Sequence, residues 1–175
     1  MSWSLRPVGS AQRAPLERLT RATGVFRPEE VATALELLDA SLAGDDDYRF
    51  LGAYAGEVGG AGEAGGELVG YACWGATPGT QDTYDLYWIV VDPAWQGKGV
   101  GTELLRAVEQ RLVTARGRLV VVETSSRPDY VPTRAFYERR GYARTATVPG
   151  YYAPDDDLVI YLKDLRHGVV ARATP

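Results

Sequence analysis

The stretch QGKGVGT, residues 96–102, decides how the rest of the sequence is interpreted. It follows the most strand-like segment of the chain, 84–91, and precedes apolar residues at helical spacing. Glycines let a backbone approach a ligand closely, and the free N–H groups at the start of a helix bind anionic oxygens. The stretch, called the glycine turn below, is therefore predicted to join a strand to a helix and to hold a pyrophosphate.

Two better-known phosphate-binding motifs do not fit the glycine turn. A P-loop needs Ser or Thr directly after Gly-Lys, whereas Lys98 is followed by Gly99. The dinucleotide fingerprint needs a third glycine three residues after the second, and the residue at that distance from Gly101 is Leu104. A turn that merely joins two elements is the remaining alternative, although each glycine at a helix start costs about 1 kcal/mol.

Composition limits the chemistry that the chain can perform. It has 175 residues, a formal net charge of −4, one cysteine (Cys73) and one histidine (His167), which excludes a disulfide framework and Cys/His zinc sites. We expect no metal, and we expect His167 to be a solvated tail residue. The acidic balance argues against nucleic-acid and membrane partners. No signal-peptide core or membrane-length apolar run is found, so the predicted location is the cytoplasm.

The apolar pattern predicts a single domain over residues 1–163 and a C-terminal tail over 164–175. Predicted strands cover 3–8, 49–54, 67–74, 84–91, 119–123, 142–148 and 158–162, and predicted helices cover 16–23, 27–42, 100–112 and 133–140. The glycine-rich segment 56–66 is interpreted as a long hairpin loop. Strand 119–123 is apolar on both faces, which is typical of a central strand. This order indicates a mixed sheet with helices on its faces.

Two signatures resemble those of the GCN5-related N-acetyltransferases, the GNAT family. Gln96, Gly99 and Gly101 match the family pattern Q/R-x-x-G-x-G/A, and RAFYERRGY at 134–142 is similar to its second signature, F-Y-E-x-x-G-F/Y. The resemblance covers about residues 3–163. It implies an α/β (α+β) fold, the GNAT fold, in which about four helices flank a mixed, mostly antiparallel sheet of six to seven strands with splayed central parallel strands.

The resemblance also implies that acetyl-CoA is the acyl donor. The backbone of residues 89–91 would pair with the pantetheine arm as an added strand would, and the N–H groups of 97–102 would hold the pyrophosphate. Lys98, with Arg139 or Arg140, would supply positive charge. The implied cofactor-binding residues are Ile89, Val90, Val91, Gln96, Gly97, Lys98, Gly99, Val100, Gly101, Thr102, Thr133, Phe136, Tyr137 and Arg139.

Acetyl transfer to an amine needs a base for the ammonium proton and an acid for the departing thiolate. By the resemblance, Tyr137 occupies the position of the general acid, and the alternative is a tyrosine that packs in the core. Asp85 and Glu123 are the candidate bases, and Glu123 could instead orient the substrate amine. Tyr130 and Thr133 stand where many relatives carry Asn and Ala, so the hydrogen bond of that Asn to the pantetheine must be lost or moved.

The implied reaction is acetyl transfer to a primary amine of a small metabolite, by direct attack in a ternary complex. A protein or peptide amine acetyltransferase and a non-catalytic acyl-CoA sensor are the alternatives. The segment GYYAPDDD, 150–157, is either an aromatic and acidic cage for a cationic amine or a polar turn between the last two strands. The sequence leaves open the identity of the amine, the use of other short acyl donors, the choice of base and the formation of a homodimer.

Overall fold

The computed structural model of the chain describes residues 2–56 and 66–166. The elements are β1 (Trp3–Pro7), α1 (Arg13–Ala22), α2 (Pro28–Leu42), β2 (Arg49–Ala55), β3 (Glu67–Ala76), β4 (Thr83–Val91), α3 (Val100–Thr114), β5 (Leu119–Ser125), α4 (Val131–Glu138), β6 (Ala143–Ala153) and β7 (Asp156–Asp164). This is the predicted order of strands and helices. His167 and most of the segments 56–66 and 164–175 lie outside the described residues.

The seven strands follow the hydrogen-bonded order β1-β2-β3-β4-β5-β7-β6. Strand β4 pairs with β5 in parallel, whereas the pairs β1–β2, β2–β3, β5–β7 and β6–β7 are antiparallel. The predicted mixed, mostly antiparallel sheet with four helices is therefore confirmed. None of the helices within the described ranges has the length and apolarity that crossing a membrane requires.

The chain packs as two compact units, and β3, β4 and α3 contribute residues to both. The first unit contains Met1–Gly75 and Trp88–Gln110, and the second contains Ala76–Tyr87 and Arg111–Pro175. In the first unit, α1 contacts β3 through a buried hydrogen bond of 2.9 Å between the hydroxyls of Thr20 and Tyr71. Cys73, also on β3, is fully buried, and burial raises the pKa of its thiol.

Helix α3 lies close to β3 in the first unit because Gly70 has no side chain. A Cβ at Gly70 would come within 3.2 Å of Val100 Cγ1 and 3.3 Å of Leu104 Cδ1, closer than a well-packed core allows. Val100 and Leu104 are themselves almost fully buried. This packing fixes the beginning of α3, and with it the end of the glycine turn.

Strand β5 is hydrogen-bonded on both sides in the second unit, as expected of a central strand. Its residues Leu119–Val121 pair with Thr83–Asp85 of β4, and all of Leu119–Ser125 pairs with β7. One face is buried, through Val120, Val122 and Thr124. The opposite face carries the apolar residues Leu119 and Val121, which are partly buried, and Glu123, which is exposed.

Candidate active site

The glycine turn lies between β4 and α3, in the first unit. Gly97 and Gly99 have φ values of 72° and 90°, a region in which residues with a Cβ are strained. A Cβ on either glycine would meet no atom within 4 Å, so backbone conformation rather than lack of space requires glycine there. Helix α3 begins at Val100, directly after the second of these glycines. The N-terminus of α3 therefore follows directly on an exposed segment with open space around its glycines.

The side chains of the glycine turn have different surroundings. Gln96 Nε2 donates a hydrogen bond of 3.2 Å to the carbonyl oxygen of Val91, which ties the turn back to the end of β4. Lys98 Nζ lies 5.1 Å from the ring centroid of Trp95, within the range of a cation–π contact. Both Gln96 and Lys98 are exposed. A cation therefore stands beside the backbone that is predicted to bind an anion.

The carboxylates of Asp85 and Glu123 project from one face of the β4–β5 pair. Asp85 is opposite Val121 in the parallel register, and Glu123 lies two residues further along β5. Side chains alternate along a strand, so residues 121 and 123 share the face of Asp85. Thr77 Oγ1 donates a hydrogen bond of 2.8 Å to Asp85 Oδ2. The structure thus brings the two predicted candidates for the base together.

The surroundings of both carboxylates disfavour their charged forms. Burial raises the pKa of Asp85, although the hydrogen bond from Thr77 acts in the opposite direction. Burial also raises the pKa of Glu123, and the nearby charge of Asp85 raises it further. No Lys or Arg in the described part of the chain pairs with either group. The face accordingly carries two carboxyl groups that form no ion pair with any described residue.

Tyr137 is the buried tyrosine of helix α4, with 5% of its surface exposed. Its ring packs edge-on against Phe136 and Tyr142, at centroid distances of 5.2 and 5.4 Å. Burial raises the pKa of Tyr137, so its hydroxyl keeps the proton at neutral pH. This hydroxyl has no hydrogen-bond partner among the described residues. The ring belongs to the core, while the hydroxyl donates its proton to none of the described residues.

The two arginines that follow α4 differ in their contacts. Arg140 Nη1 donates a hydrogen bond of 2.8 Å to the Phe136 carbonyl, and the guanidinium carbon of Arg140 lies 3.7 Å from the Phe136 ring centroid. Arg139 is exposed, and its side chain forms no hydrogen bond, ion pair or ring contact with another residue in the described ranges. Of the pair, Arg139 is the one with a guanidinium available to an anionic ligand.

The acidic segment 155–157 is mainly structural. Asp156 is 2% exposed and accepts hydrogen bonds from the Ser125 hydroxyl and, at 3.2 Å, from the Ser126 N–H. Asp157 Oδ1 accepts a bond of 2.8 Å from the Gly150 N–H. The bonds of Asp156 fasten the start of β7 to the end of β5, whereas the Gly150 bond of Asp157 lies within the β6–β7 hairpin. The polar-turn interpretation is favoured over the cage for both aspartates.

Sequence reasoning missed three polar residues of the second unit that surround the candidate site. They are Thr77, which bonds Asp85, Ser125, which ends β5, and Arg134 of α4, which bonds the Ser125 carbonyl. Arg134 is inside the second signature, and Ser125 lies two residues beyond the predicted strand 119–123, but neither residue type indicates which distant group it will bond. Their roles depend on contacts between segments that are far apart in the sequence.

Replacing Glu123 should stabilise the protein in a pH-dependent way. A carboxyl whose pKa is raised by folding destabilises the folded state where it is charged, and the penalty disappears as the pH falls below the ordinary value of about 4.3. Glu123→Gln is therefore expected to raise the melting temperature at pH 7 and to have less effect at pH 4. The gain should not exceed about 1 kcal/mol, because the group is partly solvated.

Differential scanning calorimetry at the two pH values measures this effect. Glu36→Gln, at an exposed position of α2, is the matched control and should change the melting temperature little at either pH. A larger gain for Glu123→Gln at pH 4 than at pH 7 would contradict the unfavourable surroundings of the charged carboxylate.

Comparison with known proteins gives a consistent result. Residues 17–142 match the model of the Acetyltransferase (GNAT) family. The N-alpha-acetyltransferase RimI of Mycobacterium tuberculosis is 40% identical over 92 residues, which cover 51% of this chain and 54% of that protein. The S-(2-succino)cysteine N-acetyltransferase of Bacillus subtilis is 31% identical over 72 residues, covering 41% and 44% of the two chains. The chain thus spans about half the length of these curated relatives.

Structural similarity extends over nearly the whole chain. The crystal structure of a protein from Desulfovibrio desulfuricans, assigned to the GNAT family, has a TM-score of 0.85 and 36% sequence identity, and the match covers 94% of this chain and 99% of that one. The family model alone covers more than half of the sequence. The two signatures, the strand order and these comparisons agree, and the chain belongs to the GNAT family of acetyltransferases.

Proposed function

We propose that the protein transfers the acetyl group of acetyl-CoA to the primary amine of a small metabolite. The observation that carries this proposal is the state of Tyr137, a buried phenol that keeps its proton and has no partner for it among the described residues. The same unit contains Asp85 and Glu123, which have no cationic partner in the part of the chain that the structure describes. Acid and base groups of these kinds are what acetyl transfer to an amine requires.

The glycine turn is the proposed site for the pyrophosphate of the donor. The left-handed conformations of Gly97 and Gly99 and the open space around them leave the backbone N–H groups at the start of α3 approachable. Lys98 is exposed and adds positive charge. Residues 89–91 of β4 are proposed to bind the pantetheine arm through their backbone, as an added strand would.

Helix α4 supplies the other proposed contacts to the donor. Arg139 is an exposed cation at its end, and Thr133 and Phe136 are partly buried along it. These three residues, with Tyr137, complete the proposed binding set. Tyr130, at the N-cap of α4, occupies the place of the Asn found in many relatives, but its own ring lies 5.2 Å from the guanidinium carbon of Arg127.

The proposed reaction combines one acyl transfer with two proton transfers, one from the substrate ammonium and one to the departing thiolate. A substrate amine arrives as an ammonium ion at neutral pH, and Asp85 and Glu123 attract it and accept its proton. Their raised pKa values make them stronger bases than ordinary carboxylates. The free amine attacks the thioester carbonyl, a C–N bond forms and the C–S bond breaks. The departing thiolate then receives a hydrogen bond and a proton from Tyr137.

A peptide α-amine is the second candidate acceptor. It is favoured by the 40% identity over 92 residues to RimI, which is an N-alpha-acetyltransferase. The small-metabolite proposal is favoured by the similarity to an N-acetyltransferase of S-(2-succino)cysteine, an amino-acid derivative. Both acceptors would present an ammonium group to the same two carboxylates.

Turnover with a panel of acceptors tests the proposed substrate class. Purified protein is mixed with acetyl-CoA and either small amines and amino acids or short peptides with free N-termini, and released CoA is measured with a thiol reagent. At least one small amine is expected to give a kcat/KM about tenfold or more above any peptide. A reversed preference would establish the peptide alternative, and tight acetyl-CoA binding without turnover would establish the sensor.

Tyr137→Phe tests the proposed acid. Loss of a general acid typically lowers the rate by about 10²–10⁴-fold, so kcat is expected to fall by at least about 100-fold. The Kd for acetyl-CoA should stay within about threefold, because the ring packing is retained. Tyr142→Phe removes a hydroxyl from the same aromatic cluster and is the matched control. An equal loss in both variants would show that the Tyr137 hydroxyl has no specific role.

Gly99→Glu tests the placement of the pyrophosphate. The substitution adds backbone strain at φ 90° and places a negative charge at the glycine turn, so acetyl-CoA affinity is expected to fall by more than about 30-fold in calorimetric titration. Gly44→Glu is a matched control in the same unit, since Gly44 has φ 98° and open space around it but lies outside the turn. Undiminished affinity in a folded Gly99→Glu protein would place the pyrophosphate elsewhere.

A further inference from the structure

We propose that Arg134 is a positioning residue that holds helix α4 against the end of β5 and thereby sets the location of the Tyr137 hydroxyl. Arg134 Nη1 donates two hydrogen bonds, of 2.6 Å to the Ser125 carbonyl and of 3.1 Å to the Arg127 carbonyl. Both acceptors belong to the segment that leads from β5 into α4. Tyr137 follows Arg134 by three residues, nearly one helical turn.

The segment that Arg134 binds is itself immobilised. Ser125 pairs with Leu158 of β7, and its hydroxyl donates to the buried carboxylate of Asp156. The same hydroxyl oxygen accepts a hydrogen bond of 3.1 Å from the Arg127 N–H. Because both carbonyls that Arg134 contacts are held by this network, its two bonds fix the helix relative to the sheet rather than to a mobile loop.

The far end of α4 has a second attachment to the same sheet. Tyr161 of β7 donates a hydrogen bond of 2.8 Å to Glu138 Oε1. Tyr137 therefore lies between Arg134 and Glu138, the two anchors of the helix. Its own hydroxyl forms no bond to a described residue, so ring packing and these anchors decide where that hydroxyl lies.

Two substitutions distinguish the effect of the Arg134 hydrogen bonds from the effect of its side-chain volume. Both bonds come from one nitrogen, so the single ammonium of Arg134→Lys can replace them, whereas Arg134→Met keeps an unbranched side chain without a donor. The catalytic consequence rests on the proposed function. A displacement of about 1 Å of a reacting group can cost on the order of 100-fold in rate.

Steady-state kinetics give the first measurement. Arg134→Met is expected to lower kcat by about 10- to 100-fold with the KM for the amine within about threefold, and Arg134→Lys to stay within about threefold of the unsubstituted protein. Arg49→Met, which removes an exposed arginine at the start of β2, is the control and should be unaffected. In a Tyr137→Phe background, Arg134→Met should cause little further loss, because it acts through the missing hydroxyl. A full additional loss there would overturn the proposal.

Tyrosine-ring NMR gives a measurement that does not depend on turnover. With ¹³C-labelled tyrosine rings, the Tyr137 resonance is identified by its absence in Tyr137→Phe. It is expected to shift in Arg134→Met, to return in Arg134→Lys and to stay in place in Arg49→Met. An unmoved resonance in Arg134→Met would overturn the positioning role. A moved resonance in a protein that acetylates no amine would support that role while refuting the proposed function.

Discussion

The unequal pairing of β5 with its two neighbours organises the second unit. All seven residues of β5 pair with β7, but only Leu119–Val121 pair with β4. The short parallel ladder sets Asp85 opposite Val121 and leaves Glu123 one pleat further on the same face. The long antiparallel ladder fixes Ser125, from which the chain turns into α4 and Tyr137. The proposed base and the proposed acid are thus both positioned from a single strand.

The carboxyl groups of the second unit differ in how many hydrogen bonds they accept, and this difference separates the structural Asp156 from the candidate bases Asp85 and Glu123. Asp156 is almost fully buried, but it accepts bonds from a hydroxyl and an amide N–H, which compensate for its lost hydration. Asp85 has one hydroxyl partner, and Glu123 has no hydrogen-bond donor within the described ranges. An incompletely satisfied carboxylate gains from an incoming ammonium ion, whereas the carboxylate of Asp156 already accepts hydrogen bonds from Ser125 and Ser126.

Much of the fold and part of the site could be predicted from the sequence, because the signals were local. Apolar periodicity located the elements, and the glycines at 97 and 99 marked a turn whose backbone needs them. Features that depend on contacts between distant parts of the sequence could not be predicted. Three consecutive aspartates do not reveal that Asp156 will meet Ser125, 31 residues away. The apolar run 119–122 likewise does not show which face of β5 is left uncovered. The residues that select the acceptor lie outside both signatures, so the identity of the acceptor is a proposal.

The burial of Cys73 gives the protein an unreactive sulfur. Cys73 is the only cysteine of the chain, none of its surface is exposed, and the raised pKa keeps its thiol protonated. Thiolates are the nucleophilic form of cysteine and compete well with amines for thioesters. The folded chain therefore offers no competing sulfur to which an acetyl group could be lost, and no thiol with which a liberated coenzyme could form a mixed disulfide.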